Sequence, residues 1–170
     1  MNKIQTGKVE VDQSVRIEDL TKDTIVGIAN NQVSFTVVVP RRTKRVLREL
    51  FRVQGRTKKF APYVFAAAVG EGIKHAPFQS SDVIVDIEYP GYEREILQII
   101  KQIHPSIEVY FTAIGKKSHA HFAAYGVYIK KRNADLCVDT RKMIEILFGK
   151  TKNGPRTVTP RNESGDSQSK

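Results

Sequence analysis

The chain has 170 residues, 40 % of them hydrophobic, enough for one domain with a proper core. Its formal net charge is +10, which points to a polyanionic partner, and nucleic acid is the commonest. No apolar run approaches a membrane span of roughly 20 residues, Met1–Lys8 lacks the apolar core of a signal peptide, and the single Cys137 can form neither an intramolecular disulfide nor a zinc-binding thiolate cluster, so a reducing, cytoplasmic setting without a membrane is expected.

Val9–Ser14 alternates as a half-buried strand does, with Glu10, Asp12 and Ser14 on one face and Val9, Val11 and Val15 on the other. Leu20–Thr24 is turn-like and leads into a second strand, Ile25–Ala29. Asn30-Asn31 marks a tight turn, because Asn tolerates positive φ, and the β-branched run Val33–Val39 is a third strand ended by Pro40. Three strands joined by short turns make an antiparallel meander. After Pro40 the period becomes helical: Val46, Leu47, Leu50, Phe51 and Gln54 form one stripe and arginines cover the other faces. Gly55–Lys58 interrupts it, and a second helix is expected over 61–74 with Val64, Phe65, Ala68, Val69 and Gly72 inward. A strand follows at 83–89. Tyr92–His104 is the clearest helix, with Ile96, Ile99, Ile100 and Ile103 on one face and Pro105 as its stop. Ile107–Ile114 is another strand, and the helical crossover makes it parallel to 83–89. Ser118 is a good N-cap for a helix over His119–Ile129, expected to face inward with Phe122, Ala123, Gly126, Val127 and Ile129. Leu136–Val138 reads as a short extra strand, and Asp139 caps a last helix, Thr140–Phe148. Residues 1–149 are read as one domain and 150–170 as a disordered basic tail.

Two stretches concentrate charge. Residues 41–59 hold nine basic side chains (Arg41, Arg42, Lys44, Arg45, Arg48, Arg52, Arg56, Lys58 and Lys59) and one acid, Glu49. Unpaired cations repel by roughly a few tenths of a kcal/mol per close pair, and a phosphate backbone would relieve this while releasing counterions. These residues, with Lys116 and Lys117, are the expected nucleic-acid contacts; the plain alternative is a solvated helix face. In Asp82–Glu93, strand alternation places Ile84, Asp86 and Glu88 on one face. Two carboxylates there repel, more so when buried, unless a divalent metal ion or nearby cations neutralise them. The plain alternative is an edge strand with one solvated side. Tyr89, Tyr92, Phe60 and Tyr63 are available for base stacking, although packing is the commoner role.

The order β-β-β-α-β-α-β-α resembles the ribonuclease H-like superfamily over residues 8–132. That resemblance implies an α/β fold with a mixed five-stranded sheet, three antiparallel strands then two parallel βα units, flanked by helices. The superfamily carries an Asp in its first strand, a second carboxylate at the end of the adjacent fourth strand, and an acid or histidine on its last core helix. Asp12, Asp86 with Glu88, and His119 with His121 stand at those places. Helix 119–132 holds no acid, so His121 would substitute; Asp135 or Asp139 are the fallbacks, and Glu71 would supply the acid of the first helix. About 200° of rotation separates His119 from His121, so one of them faces the site. The implied activity is metal-dependent hydrolysis of phosphodiester bonds in DNA or RNA, whether junction, hybrid or single-stranded, by a two-metal-ion mechanism. Asp12, Asp86 and Glu88 would hold Mg²⁺ or Mn²⁺, and a histidine would orient water or shuttle a proton. A homodimer is the arrangement junction resolvases of this fold use. Two further readings stay open: a catalytically inactive nucleic-acid-binding domain of the same fold, and an adaptor docking an acidic protein partner.

Overall fold

The computed structural model describes residues 2–150. Its elements are β1 (Ile4–Gln5), β2 (Val9–Ser14), β3 (Thr24–Ala29), β4 (Ser34–Val39), α1 (Arg41–Val53), a 3₁₀ turn (Thr57–Lys59), α2 (Phe60–His75), β5 (Phe78–Gln79), β6 (Asp82–Asp86), α3 (Glu93–Ile103), β7 (Glu108–Thr112), α4 (His119–Tyr128), β8 (Leu136–Cys137) and α5 (Thr140–Phe148). The tail expected over 150–170 lies, beyond Lys150, outside the described residues. None of the described helices is long and apolar enough to cross a membrane.

The fold is α/β, with a mixed sheet in the order β7-β6-β2-β3-β4-β8. The expected meander is its middle: β2–β3 and β3–β4 pair antiparallel, whereas β2–β6 and β6–β7 pair parallel. The sheet has six strands rather than five, because β8 adds parallel to β4 through Val37 opposite Leu136 and Val38 opposite Cys137. β1 and β5 form a separate two-stranded parallel sheet. Two residues per strand are too few to show a period, which is why the sequence did not announce them.

The alternation of β2 serves two layers. Val9 and Val11, with Val83 and Val85 of β6, point into the core shared with Phe51, Val64, Phe65, Ile96 and Ile100 of α1–α3. Each such side chain contributes roughly 1.5–3 kcal/mol on burial. Glycine at 72 lets α2 close on the sheet, since a Cβ there would stand 2.6 Å from Ile28 and 2.7 Å from Val37. On the opposite face α4 comes so near β3 that a Cβ at Gly27 would collide with the Ala120 carbonyl. That approach needs small residues, and Ala120, Ala123 and Ala124 are the buried ones. Phe122, expected inward, is 60 % exposed for this reason.

Helix limits follow the punctuation of the sequence. Extended Pro40 (ψ 143°) precedes α1, Ser118 Oγ accepts the His121 N–H at 2.9 Å, and Asp139 Oδ1 accepts the Lys142 N–H at 2.8 Å.

Candidate metal centre

Parallel pairing of β2 with β6 sets Glu10 beside Ile84 and Val11 beside Val85. The next residues in that register are Asp12 and Asp86, whose side chains leave the sheet on the α4 face. Glu88 arrives differently from the expectation. The strand ends at Asp86, and Glu88 N–H donates back to the Asp86 carbonyl at 2.9 Å. It is this tight turn, not strand alternation, that returns Glu88 to the same side. One carboxylate oxygen from each of Asp12, Asp86 and Glu88 lies within 4.8 Å of the others, so the three could hold a metal ion.

Each carboxylate is positioned by the backbone around it. Asp86 Oδ1 accepts the Ile114 N–H at 2.7 Å, which fixes the side chain. Asp12, with only 9 % of its side chain exposed, accepts the Gln13 N–H on Oδ1 and stands 2.9 Å from His121 Nδ1 through Oδ2. His121 is oriented by its stack on Tyr125, 6.1 Å between centroids and 7° between planes. Burial, then the charges of Asp12 and Asp86, push the Glu88 carboxyl up to about 7 against the pull of Gln13. Three clustered carboxylates, all hard oxygen donors, are matched by a hard divalent cation.

The other candidate ligands lie elsewhere. His119 is exposed, and its contribution is a backbone N–H donated to Glu10 Oε2. Glu71 is buried in α2 on the opposite side of the sheet, 3.7 Å from His75. Asp135 is committed to Thr36 N–H and Oγ1 and to Arg132, and Asp139 to the start of α5.

The basic segment divides. Lys44 is a correction: it has no exposed surface, and its ammonium donates to the carbonyl of Asp19 and to Thr24 Oγ1, so it cannot contact nucleic acid. Burial pulls it down to about 8. It holds the β2–β3 loop onto α1. Arg52 pairs with Glu49 at 2.6 Å. Arg41 and Arg45 donate to the carbonyls of Thr21 and Leu20. Arg56 and Lys59 lie over Tyr63. Arg42, Arg48, Lys58, Lys116 and Lys117 are exposed and make no side-chain hydrogen bond or ion pair among the described residues.

Sequence reasoning missed the far side of Glu88. There a cleft of about 510 Å³ is walled by the β2–β3 loop, α1, the start of α2 and the β6–α3 loop. Immediately before Arg16, which lines it, stands Val15, a β-branched residue at φ 65°. That conformation costs of order 1–3 kcal/mol, and a strand pattern gives no sign of it. The turn brings Arg16 Nη2 to the Glu88 carbonyl at 2.8 Å. Arg48 and Lys58 line the same cleft, so part of the basic segment borders the acid cluster. No protein-family model, curated protein or solved structure matches this chain.

Proposed function

We propose that the chain is a metal-dependent endonuclease of ribonuclease H-like fold, hydrolysing phosphodiester bonds of DNA or RNA. The observation that carries this reading is the convergence within 4.8 Å of Asp12 inside β2, Asp86 at the end of the adjacent parallel β6, and Glu88 in the turn that follows. The strand order β7-β6-β2-β3-β4 and the α4 histidine beside Asp12 support it. The donor set suits Mg²⁺ or Mn²⁺, which when bound would lower the pKa of an attacking water and stabilise the leaving oxygen. Asp12, Asp86 and Glu88 would hold the cation, and so place it where a phosphate docks. In the tautomer that carries its hydrogen on Nδ1, His121 donates to Asp12 Oδ2 at 2.9 Å and keeps Nε2 free to take up a proton from water or return one to a leaving oxygen. Arg42, Arg48, Lys58, Lys116 and Lys117 bind phosphates of the strand on either side.

A second reading, a non-catalytic nucleic-acid-binding domain, is favoured by one observation: the inward face of α4 carries Ala120, Ala123 and Ala124 and no carboxylate. Labelled four-way junction, RNA–DNA hybrid and single strands incubated with Mg²⁺ or Mn²⁺ separate the two. The nuclease reading expects cleavage of at least one substrate, lost at least about 100-fold in Asp86→Asn while binding in EDTA persists. Undiminished cleavage by that variant would overturn the site, and binding without cleavage on every substrate would select the second reading.

A further inference from the structure

We propose that the cleft beyond Glu88 takes one unpaired nucleotide of the strand whose phosphodiester meets the acid cluster. This rests on the nuclease reading and adds to it a substrate requirement: a base that is out of its stack beside the cut.

Glu88 belongs both to the carboxylate cluster and to the cleft wall, so the two are contiguous. The volume, about 510 Å³, is that of a small-ligand site and exceeds what a metal or a bare phosphate needs. Its walls are those of a base pocket. The Arg16 guanidinium lies over the Tyr89 ring, 5.3 Å from its centroid, and 58 % of its side chain stays exposed. Tyr89 is a fixed support for it: the ring is buried, its hydroxyl accepts from Gln13 Nε2 at 3.1 Å and donates to Glu18 Oε2 at 3.2 Å. A planar guanidinium held this way is a stacking surface for a base. Half-buried Tyr92, at the start of α3, and buried Phe60 supply further aromatic wall. Apolar rings of this kind offer nothing to an inorganic anion. Arg16 is partly neutralised by Glu18 at 3.6 Å, whereas Arg48 and Lys58 have no acidic partner among the described residues and are left for phosphate. A paired, stacked base cannot reach such a pocket; an unpaired one enters at little cost.

Titrating the full chain in EDTA, followed by amide NMR, tests the pocket apart from any metal. The probes are 5′-AMP, ribose 5-phosphate, inorganic phosphate and the trinucleotide ApApA. The expected result is that 5′-AMP perturbs residues 57–62 and 88–92 and binds about tenfold more tightly than ribose 5-phosphate. ApApA should bind more tightly still. Arg16→Ala and Tyr92→Ala should each weaken 5′-AMP about tenfold, and Arg48→Ala should weaken every phosphate-bearing probe; Arg16 and Arg48 are exposed, so their variants keep the fold. Equal affinity for ribose 5-phosphate and 5′-AMP would overturn the proposal in favour of an anion site. Equal affinity for 5′-AMP and ApApA would overturn it in favour of a free nucleotide, and no perturbation up to about 10 mM would overturn it outright. Since no divalent ion is present, failure here leaves the metal centre standing, and cleavage that ignores Asp86 leaves the pocket standing.

Discussion

Asp86→Asn keeps the side-chain oxygen that accepts the Ile114 N–H at 2.7 Å and removes one charge from oxygens lying within 4.8 Å of each other. Two unit charges at that distance repel by about 3.5 kcal/mol at an effective dielectric near 20. Asp86 is half-exposed, and solvent screening reduces this to about 1–2 kcal/mol. At about pH 8, with Glu88 ionised, the metal-free variant is therefore expected to be more stable than the parent by that amount, about 2–8 °C in Tm for a chain of this length. Asp86→Ala also strands the Ile114 N–H and should gain less or nothing. A divalent cation reverses the order. At a hundred times its Kd it stabilises the parent by about 2.7 kcal/mol, a gain the Asn variant forfeits. Scanning calorimetry in EDTA and in Mn²⁺ reads both halves. An Asn variant less stable than its parent in EDTA, or one with an undiminished Mn²⁺ shift, would refute the reasoning that these carboxylates repel each other and share a cation.

Glu88 gives a pH signature of known sign. Its folded pKa, about 7, lies above the ordinary 4.5, so its contribution to metal-free stability is complete below about pH 4.5 and is lost as pH climbs through 7. Tm in EDTA should follow that fall, and calorimetry in two buffers should show Mn²⁺ releasing nearly one more proton at about pH 6 than at about pH 8.5. Lys44→Met should cost about 1–3 kcal/mol, because the Asp19 carbonyl and Thr24 Oγ1 lose a buried donor, without altering the salt dependence of nucleic-acid binding. By contrast Arg42→Ala and Arg48→Ala should each flatten the plot of log affinity against log salt by about 0.9 while leaving Tm unchanged. Gly27→Ala drives a methyl into the Ala120 carbonyl. Backbone cannot yield as a side chain does, so α4 must lift, costing about 1–3 kcal/mol and drawing His121 away from Asp12; stability and metal-dependent cleavage should fall together.

How much of this was legible follows from what sequence periods encode. Alternation in Val9–Ser14 placed Asp12 on the polar face, and the isoleucine stripe of 96–103 marked the crossover that makes β6 and β7 parallel. Pro40 and Ser118 marked helix starts, because capping and proline chemistry act over one or two residues. Long-range facts were hidden. Lys44 reads as one more cation in a basic run, and only the loop folding back over α1 buries it. Phe122 reads as core until the closeness of α4 to Gly27 makes alanine the packing residue. Glu88 was placed on the right side for the wrong reason, since a turn after Asp86 happens to restore the parity a longer strand would have given. Tyr89, Tyr92 and Phe60 were legible as stacking candidates, but not the cleft that gathers them. Its walls come from four segments distant in sequence.

The claim on which the rest depends is that Asp12, Asp86 and Glu88 form one divalent-cation site. Anomalous scattering from Mn²⁺-soaked crystals of the full chain tests it most directly. The expected result is an anomalous peak among the three carboxylates, coordinated by oxygens at about 2.0–2.3 Å and absent in Asp86→Asn. Saturating Mn²⁺ with no peak at that position, or a peak that persists in Asp86→Asn, would contradict it.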